Sequence, residues 1–208
     1  MRICVVGWYF DDELYSSLWR VNHYRGFTDI KYPVFIIAHR NNDLIANCDL
    51  PCLLEENVGL EWGAYNQYLT KVWDGNDSVL FMHDDIKFLP LIIGDEIKPG
   101  ELVFDKLAAI QFDHAYIFQS RMEDVVNYGR HGRMVYFSER LLRLIKSEKD
   151  FPWLKGKEDV YLALKKIQNI NPEWSLLKKV YVPNVDMGYE GKFGKYKLQF
   201  IDESLRLG

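Results

Sequence analysis

Apolar residues fall along this chain in two rhythms. Unbroken apolar runs at Arg2–Val6 (RICVV), Val34–His39 (VFIIAH) and Ser78–Met82 (SVLFM) read as strands buried on both faces. Gly7 ends the first run and Pro33 starts the second; Cys52–Glu55 reads as a further short strand. The other rhythm is helical. Asp11 and Asp12 are placed to cap a helix with Leu14, Leu18 and Val21 on one face and Tyr15 and Trp19 beside them. Leu60, Ala64, Tyr68 and Val72 form a stripe over Leu60–Trp73, flanked by Tyr65, Leu69 and Trp73, and Gly75-Asn76-Asp77 makes a turn after it. Strand–helix–strand alternation with continuously apolar strands predicts an α/β fold, a Rossmann-type, mostly parallel central sheet flanked by helices.

The second half is less regular. Pro90–Gly100 reads as a loop, Ala115–Gln119 and Met134–Phe137 as strands, and Glu139–Ser147 as a helix with Ser138 at its N-cap. After a loop over Phe151–Lys157, Val160, Leu164 and Ile167 share one side of a helix over Glu158–Gln168, and Val180–Pro183 reads as a short strand. The tail Gly188–Lys197 is rich in glycine and lysine and reads as a mobile segment, with Lys192, Lys195 and Lys197 making it a solvated basic tail. No repeat and no linker composition divides the chain. The expectation is a single domain over residues 1–208, with functional halves of about 1–88 and 89–208.

Composition narrows the classes. The 208 residues carry a net charge of −4, which argues against a broad nucleic-acid binder. Hydrophobic residues at 48% against charged residues at 27% exclude a disordered chain. No apolar stretch approaches the ~20 residues of a membrane span, so no transmembrane segment is expected. Cys4, Cys48 and Cys52 make an odd count without zinc-finger spacing, which reads as a reducing, cytoplasmic setting. His23, His39, His114 and His131 fall into no Ser/His/Asp or HExxH pattern, so a hydrolase has no support.

Three stretches carry candidate chemistry. In LFMHDDI the fourth strand runs into His83-Asp84-Asp85; adjacent carboxylates repel, and a hard divalent cation relieves that repulsion, although a solvated acidic turn has the same composition. In Asn57–Asn66, Gly59 and Gly63 bracket a helix start, which suits either close approach of a phosphate or close helix packing. In Trp153–Ala163, Glu158 and Asp159 sit in the first turn of a helix, as a general base on a rigid element or as partners of the helix dipole. Ligands of open α/β sheets bind beyond the carboxyl ends of the strands, which points also at Gly7-Trp8-Tyr9 and at Arg40–Asp43.

In their order and spacing the three stretches resemble small glycosyltransferases of the GT-A fold, closest in style to the inverting, family 2-like enzymes. His83-Asp84-Asp85 resembles the metal- and nucleotide-binding DXD motif, with His83 at its first position. Asn57–Asn66 resembles the N-x-G-x-x-x-A-x-N segment that precedes it, with one extra residue between Gly59 and Ala64. Gly156-Lys157-Glu158-Asp159 resembles the G-x-E-D motif that carries an acceptor-side base.

The resemblance implies a GT-A-like fold and transfer of a hexose, with UDP as the common nucleotide, from a nucleotide-diphosphate sugar to a hydroxyl of a glycan or other acceptor, with inversion. It implies Mn²⁺ or Mg²⁺ held by Asp85 and Asp84, Asp84 also serving the ribose, and Asp159 as base with Glu158 beside it. It implies nucleotide contacts from Gly7, Trp8, Tyr9, Arg40, Asp43, Asn57 and Gly59, a ribose side lined by Trp62 and Asn66, and Trp153 stacked on the acceptor sugar. Many such enzymes place a late His near the metal; no His follows His131 here, so Asp186 or water would stand in. A non-catalytic nucleotide- or sugar-binding module and a sugar nucleotidyltransferase are the other readings. Against the latter, the segment after the first strand, Gly7-Trp8-Tyr9-Phe10-Asp11-Asp12, is acidic instead of glycine-rich and basic.

Overall fold

The computed structural model describes residues 1–7, 32–39, 50–83, 87–88, 91–93, 96–98, 105, 108–109, 112–118, 134–148, 151, 157–181 and 185–186. Seven strands form the main sheet: β1 (Arg2–Gly7), β2 (Val34–Ala38), β3 (Cys52–Leu54), β4 (Val79–His83), β8 (His114–Phe118), β9 (Met134–Phe137) and β10 (Lys178–Tyr181). Between β4 and β8 lie three short strands, β5 (Lys87–Phe88), β6 (Leu91–Ile93) and β7 (Glu96–Lys98); β11 (Val185–Asp186) comes last. The described helices are α1 (Leu60–Lys71), α2 (Glu139–Ser147) and α3 (Lys157–Ile170).

The sheet order is β10-β8-β9-β4-β1-β2-β3. All neighbours run parallel except β9, which is antiparallel to β4 and to β8. The central strand β1 explains its own composition. Ile3, Cys4, Val5 and Val6 are each at most 1% exposed, because both faces of the strand are covered. Cys4 and Val6 join the core beneath α1, where Ala64, Tyr65, Tyr68 and Leu69 pack; Ile3 and Val5 join a second core with Ile36, Leu80, Met82 and Ile117. Phe81 is the aromatic centre of the first core. It stacks on Tyr65 at 4.4 Å and meets Tyr68 and Phe137 edge-on, each at 5.8 Å.

At the sheet edge where the parallel strands begin, one buried carboxylate ties three elements together. Asp113, immediately before β8, accepts from Arg140 Nε and Nη2 at 2.6 and 2.5 Å, from the Ser138 hydroxyl at 2.9 Å and from the Ser175 amide at 2.9 Å. Ser138 caps α2 and Ser175 precedes β10, so a single side chain fixes where the helix and the last parallel strand start. Burial raises the Asp113 pKa, but the guanidinium, the amide and the hydroxyl outweigh it and the net shift is downward. Its neighbour His114 is fully buried, wedged edge-on against Tyr116 and Phe137, and neither ring nitrogen has a hydrogen-bond partner among the described residues. Burial therefore pushes its pKa down to about 3.

The structure changes four expectations. Within the stretch read as a loop over Pro90–Gly100, β6 and β7 pair antiparallel with only Gly94 and Asp95 between them. Three-residue strands are too short to show a two-residue period, and a Gly-Asp pair is a hairpin signal that outweighs the surrounding punctuation. Leu60, expected on the buried stripe of α1, is 55% exposed, because the helix begins there in a left-handed turn. The last parallel strand is described over Lys178–Tyr181 and begins two residues before the expected Val180; Val182 and Pro183 lie outside the described residues. The helix expected over Glu158–Gln168 runs from Lys157 to Ile170. The helix expected after Asp11 and the tail over Gly188–Lys197 lie outside the described residues. Cys4 is a buried free thiol.

Two stability predictions follow from the Asp113–His114 pair. Asp113→Ala strands the Ser175 amide and frees Arg140, and is expected to cost about 2–4 kcal/mol in urea unfolding at neutral pH. His114 works on acid stability. Its folded pKa lies below its unfolded one, so as pH falls from about 6.5 toward 3 the unfolded chain takes up a proton that the folded chain refuses. Stability is lost through that window at about 1.4 kcal/mol per pH unit, and Asp113 adds to the loss only below its ordinary carboxylate range. Between pH 7.5 and pH 5, His114→Phe should recover about 2 kcal/mol relative to wild type; parallel pH profiles would refute this.

Candidate functional site

The opposite edge, where the parallel strands end, is where an open α/β sheet binds ligands, at the point where strand order reverses. Here that point is β1. Gly7 at its end pairs in register with Ala38 of β2, while Val6 pairs with His83 of β4. Chain leaving β1 returns as β2 on one side, and chain leaving β3 returns through α1 as β4 on the other. Gly7, His39, Leu54 and His83 thus stand along one edge.

The entry to α1 is strained. Gly59 caps the helix with φ 81° and Leu60 follows with φ 55°, two successive left-handed residues. Gly59 supplies no side-chain cap; its carbonyl accepts from the Gly63 amide at 3.0 Å. Ala64 packs in the core beneath the helix; Gly63 is also buried, on the helix face it shares with Gln67 and Thr70. Asn57 is exposed ahead of the cap, and Asn66 is half-buried in the helix, its carbonyl accepting from the Thr70 hydroxyl at 2.8 Å. Trp62, expected on the ribose side, is 1% exposed and packs edge-on against Tyr65 in the core. Its expected place is therefore corrected: the residue fills the interior beneath the helix because its large apolar ring has a sheet to cover.

A polar relay that the sequence reading did not single out lies beside this cap. His39 follows β2 directly, and its Nε2 lies 3.1 Å from Gln67 Oε1 on α1. The Gln67 amide nitrogen donates to the Glu56 carbonyl at 2.8 Å, which fixes its oxygen toward His39. Nε2 of His39 accordingly carries the proton and donates, and Nδ1 is a bare acceptor. That Nδ1 is buried with no partner among the described residues, a state that costs about 1–3 kcal/mol until a donor arrives. Burial lowers the His39 pKa, against smaller raising effects from Gln67 and Glu55. The only sequence sign of this relay is a histidine at the end of an apolar strand; its partner lies 28 residues away.

Glu158 and Asp159 occupy the first turn of α3, Glu158 exposed and Asp159 half-buried. The far end of α3 leads to Ser175 at the Asp113 edge. The two-stranded pairing of β11 with β5 sets Asp186 opposite Lys87, two residues beyond Asp85. Trp8, Tyr9, Arg40, Asp43, Asp84, Asp85, Trp153, Lys192, Lys195 and Lys197 lie outside the described residues. Among the described residues no group of three or more His, Cys, Asp or Glu could hold a metal, and no helix is long and apolar enough to cross a membrane.

No family model and no curated protein matches the chain. Solved structures do. A mannosyltransferase from Pyrobaculum calidifontis in complex with GDP-Man and Mn²⁺ superposes with TM-score 0.53 at 16% identity, over 88% of this chain and 55% of that one. A 4-diphosphocytidyl-2C-methyl-D-erythritol synthase from Anaerococcus prevotii superposes with TM-score 0.52 at 10% identity, over 88% of both chains. Residues 1–349 of TarS from S. aureus superpose with TM-score 0.51 at 16% identity, over 88% of this chain and 58% of that one. The chain thus spans little more than half of two of these three structures. At such identities the likeness is one of fold. It is the mixed α/β, GT-A-like fold of nucleotide-diphospho-sugar transferases.

The strain at the cap is testable. Leu60 is exposed and held at positive φ, so Leu60→Asn removes no packing and admits the left-handed conformation; it should stabilise the protein by about 0.5–1 kcal/mol. Gly59→Val should destabilise it by about 1–2 kcal/mol. Thermal unfolding midpoints moving the same way in both variants would contradict the assignment.

Proposed function

We propose that this chain transfers a sugar from a nucleotide-diphosphate donor to a hydroxyl of a glycan or other acceptor, with inversion. The observation that carries the reading is the end of β4: a buried central strand, beside β1 at the switch point, runs through His83 directly into Asp84-Asp85. The two adjacent carboxylates there suit Mn²⁺ or Mg²⁺, and Asp186, set opposite Lys87 by the β5–β11 pairing, is a further candidate donor. Asp85 and Asp84 would hold the cation, which when bound stabilises the negative charge of the departing diphosphate as a Lewis acid.

The chain's own residues do the rest in this reading. Gly7 gives the nucleotide a close approach to the backbone at the end of β1, with Trp8, Tyr9, Arg40 and Asp43 as further contacts. Asn57, Gly59 and Asn66 belong to the same side through the start of α1. Asp159, on the rigid first turn of α3, takes the proton from the acceptor hydroxyl, with Glu158 as its neighbour. Attack from the face opposite the leaving group inverts the anomeric centre. Trp153, just before α3, offers the acceptor ring a stacking surface.

A sugar nucleotidyltransferase remains the second reading, favoured by a synthase fold that matches this chain over 88% of both lengths. The test separates them. Incubation with UDP- and GDP-sugars and Mn²⁺ should release nucleoside diphosphate, with Asp85→Ala lowering the rate at least 100-fold at an unchanged unfolding midpoint. Asp159→Asn should lose transfer to acceptor by about 10²–10⁴-fold while nucleotide binding stays. Pyrophosphate release from a nucleoside triphosphate and a sugar phosphate would establish the second reading instead, and tight nucleotide binding without turnover would make the protein a binding module.

A further inference from the structure

We propose that a cavity at the edge where the parallel strands begin is a binding site for a neutral sugar, held through two adjacent ring hydroxyls. The cavity has a volume of about 600 Å³ and is lined by Phe112, Asp113, Tyr136, Arg140, Arg143 and Glu173. That is the size of a small-molecule site. Asp113 and Tyr136, each 5% exposed, form its floor, and Arg140, Arg143 and Glu173 stand exposed at its rim. The site lies at the opposite edge of the sheet from the end of β4 and shares no residue with the proposed transfer machinery.

Both guanidinium groups are held in place by the protein itself. Arg140 forks onto Asp113 through Nε and Nη2 and lies over the Trp174 ring at 4.3 Å. Arg143, one turn further along α2, donates from Nε to the Gly75 carbonyl at 2.9 Å and pairs through Nη2 with Glu139 at 2.6 Å. The Nη1 group of each arginine has no partner among the described residues. Glu173 lies within electrostatic reach of Arg140 but accepts no hydrogen bond among the described residues, and the Ser175 hydroxyl beside it is equally free. Open donors and an open acceptor therefore meet at one rim. Three carboxylates, Asp113, Glu139 and Glu173, face two guanidinium groups, so the lining is net negative and disfavours a phosphate or a carboxylate. A hydroxyl both donates and accepts, so neighbouring hydroxyls give to the Glu173 carboxylate and take from a guanidinium. The planar guanidinium fork presents parallel N–H groups, which match the paired oxygens of a vicinal diol. Phe112 and Tyr136 supply aromatic surface for the C–H face of a sugar ring.

The experiment measures binding by saturation-transfer NMR on the intact chain, without nucleotide or metal. The probes are the methyl glycosides of glucose, galactose, mannose and N-acetylglucosamine, with inorganic phosphate as the competing anion. At least one glycoside should bind, and its analogue lacking one of the two paired hydroxyls should bind about ten-fold more weakly. Glu173→Gln touches only the rim and should weaken the parent sugar by a similar factor at an unchanged unfolding midpoint; Arg143→Ala should do the same to binding. Arg143→Lys keeps the charge but not the fork and should weaken binding nearly as much as Arg143→Ala, which a requirement for charge alone would not do. No binding of any glycoside, a sugar signal that survives both Glu173→Gln and Arg143→Ala in folded protein, or phosphate displacing the sugar at equal concentration would each overturn the inference. None of these results touches release of nucleoside diphosphate, so the proposed function stands or falls separately.

Discussion

The arrangement depends on burying β1 and β4 side by side. Both are apolar on both faces, so neither is stable unless helices and the second core cover them. Their parallel register sets Arg2 against Val79 and Val6 against His83. A slip by one residue would turn Cys4 and Val6 out of one core and Ile3 and Val5 out of the other. Because the register is held by packing on both sides, the polar residues that follow each strand arrive together at one edge, and the site inherits its geometry from an interior that contains almost no chemistry.

The two edges of the sheet divide the work. At the edge where the strands begin, Asp113 gathers Ser138, Arg140 and Ser175, and Arg143 and Lys146 on α2 donate to the carbonyls of Gly75 and Trp73 in the turn before β4. These contacts hold the edge together, while the neighbouring His114 ring stays unpaired among the described residues and Asp77 and Leu177 stand at positive φ. At the other edge are a left-handed helix entry without a side-chain cap and an imidazole nitrogen without a donor among the described residues. Strain and unsatisfied polarity thus occur at both edges, and what sets the second apart is its place beyond the carboxyl ends of the parallel strands.

Much of the fold was legible because its signals are local. The limits of β9 and α2, including the Ser138 cap, follow from a run of four apolar residues and a serine before a helical period. The alternation that predicts a parallel sheet also holds, with β9 as the antiparallel exception that no single-strand pattern encodes. What was not legible depends on contacts distant in sequence. Trp62 follows a helix-start glycine and reads as lining the ribose side, and only the packing of α1 over the sheet shows it buried in the core. His39 and Gln67 acquire meaning only when β2 and α1 pack together. The β5–β11 pairing joins segments about a hundred residues apart and is invisible to any window along the chain.

The most direct measurement is a crystal structure with Mn²⁺ and a nucleoside diphosphate bound, with data collected at the manganese absorption edge. The account predicts one anomalous peak at coordination distance from the Asp85 carboxylate and from the diphosphate, with the nucleotide lying against Gly7 and the Asp159 carboxylate facing the same crevice. A peak away from the end of β4, or Asp159 directed to the far side of the sheet, would contradict it.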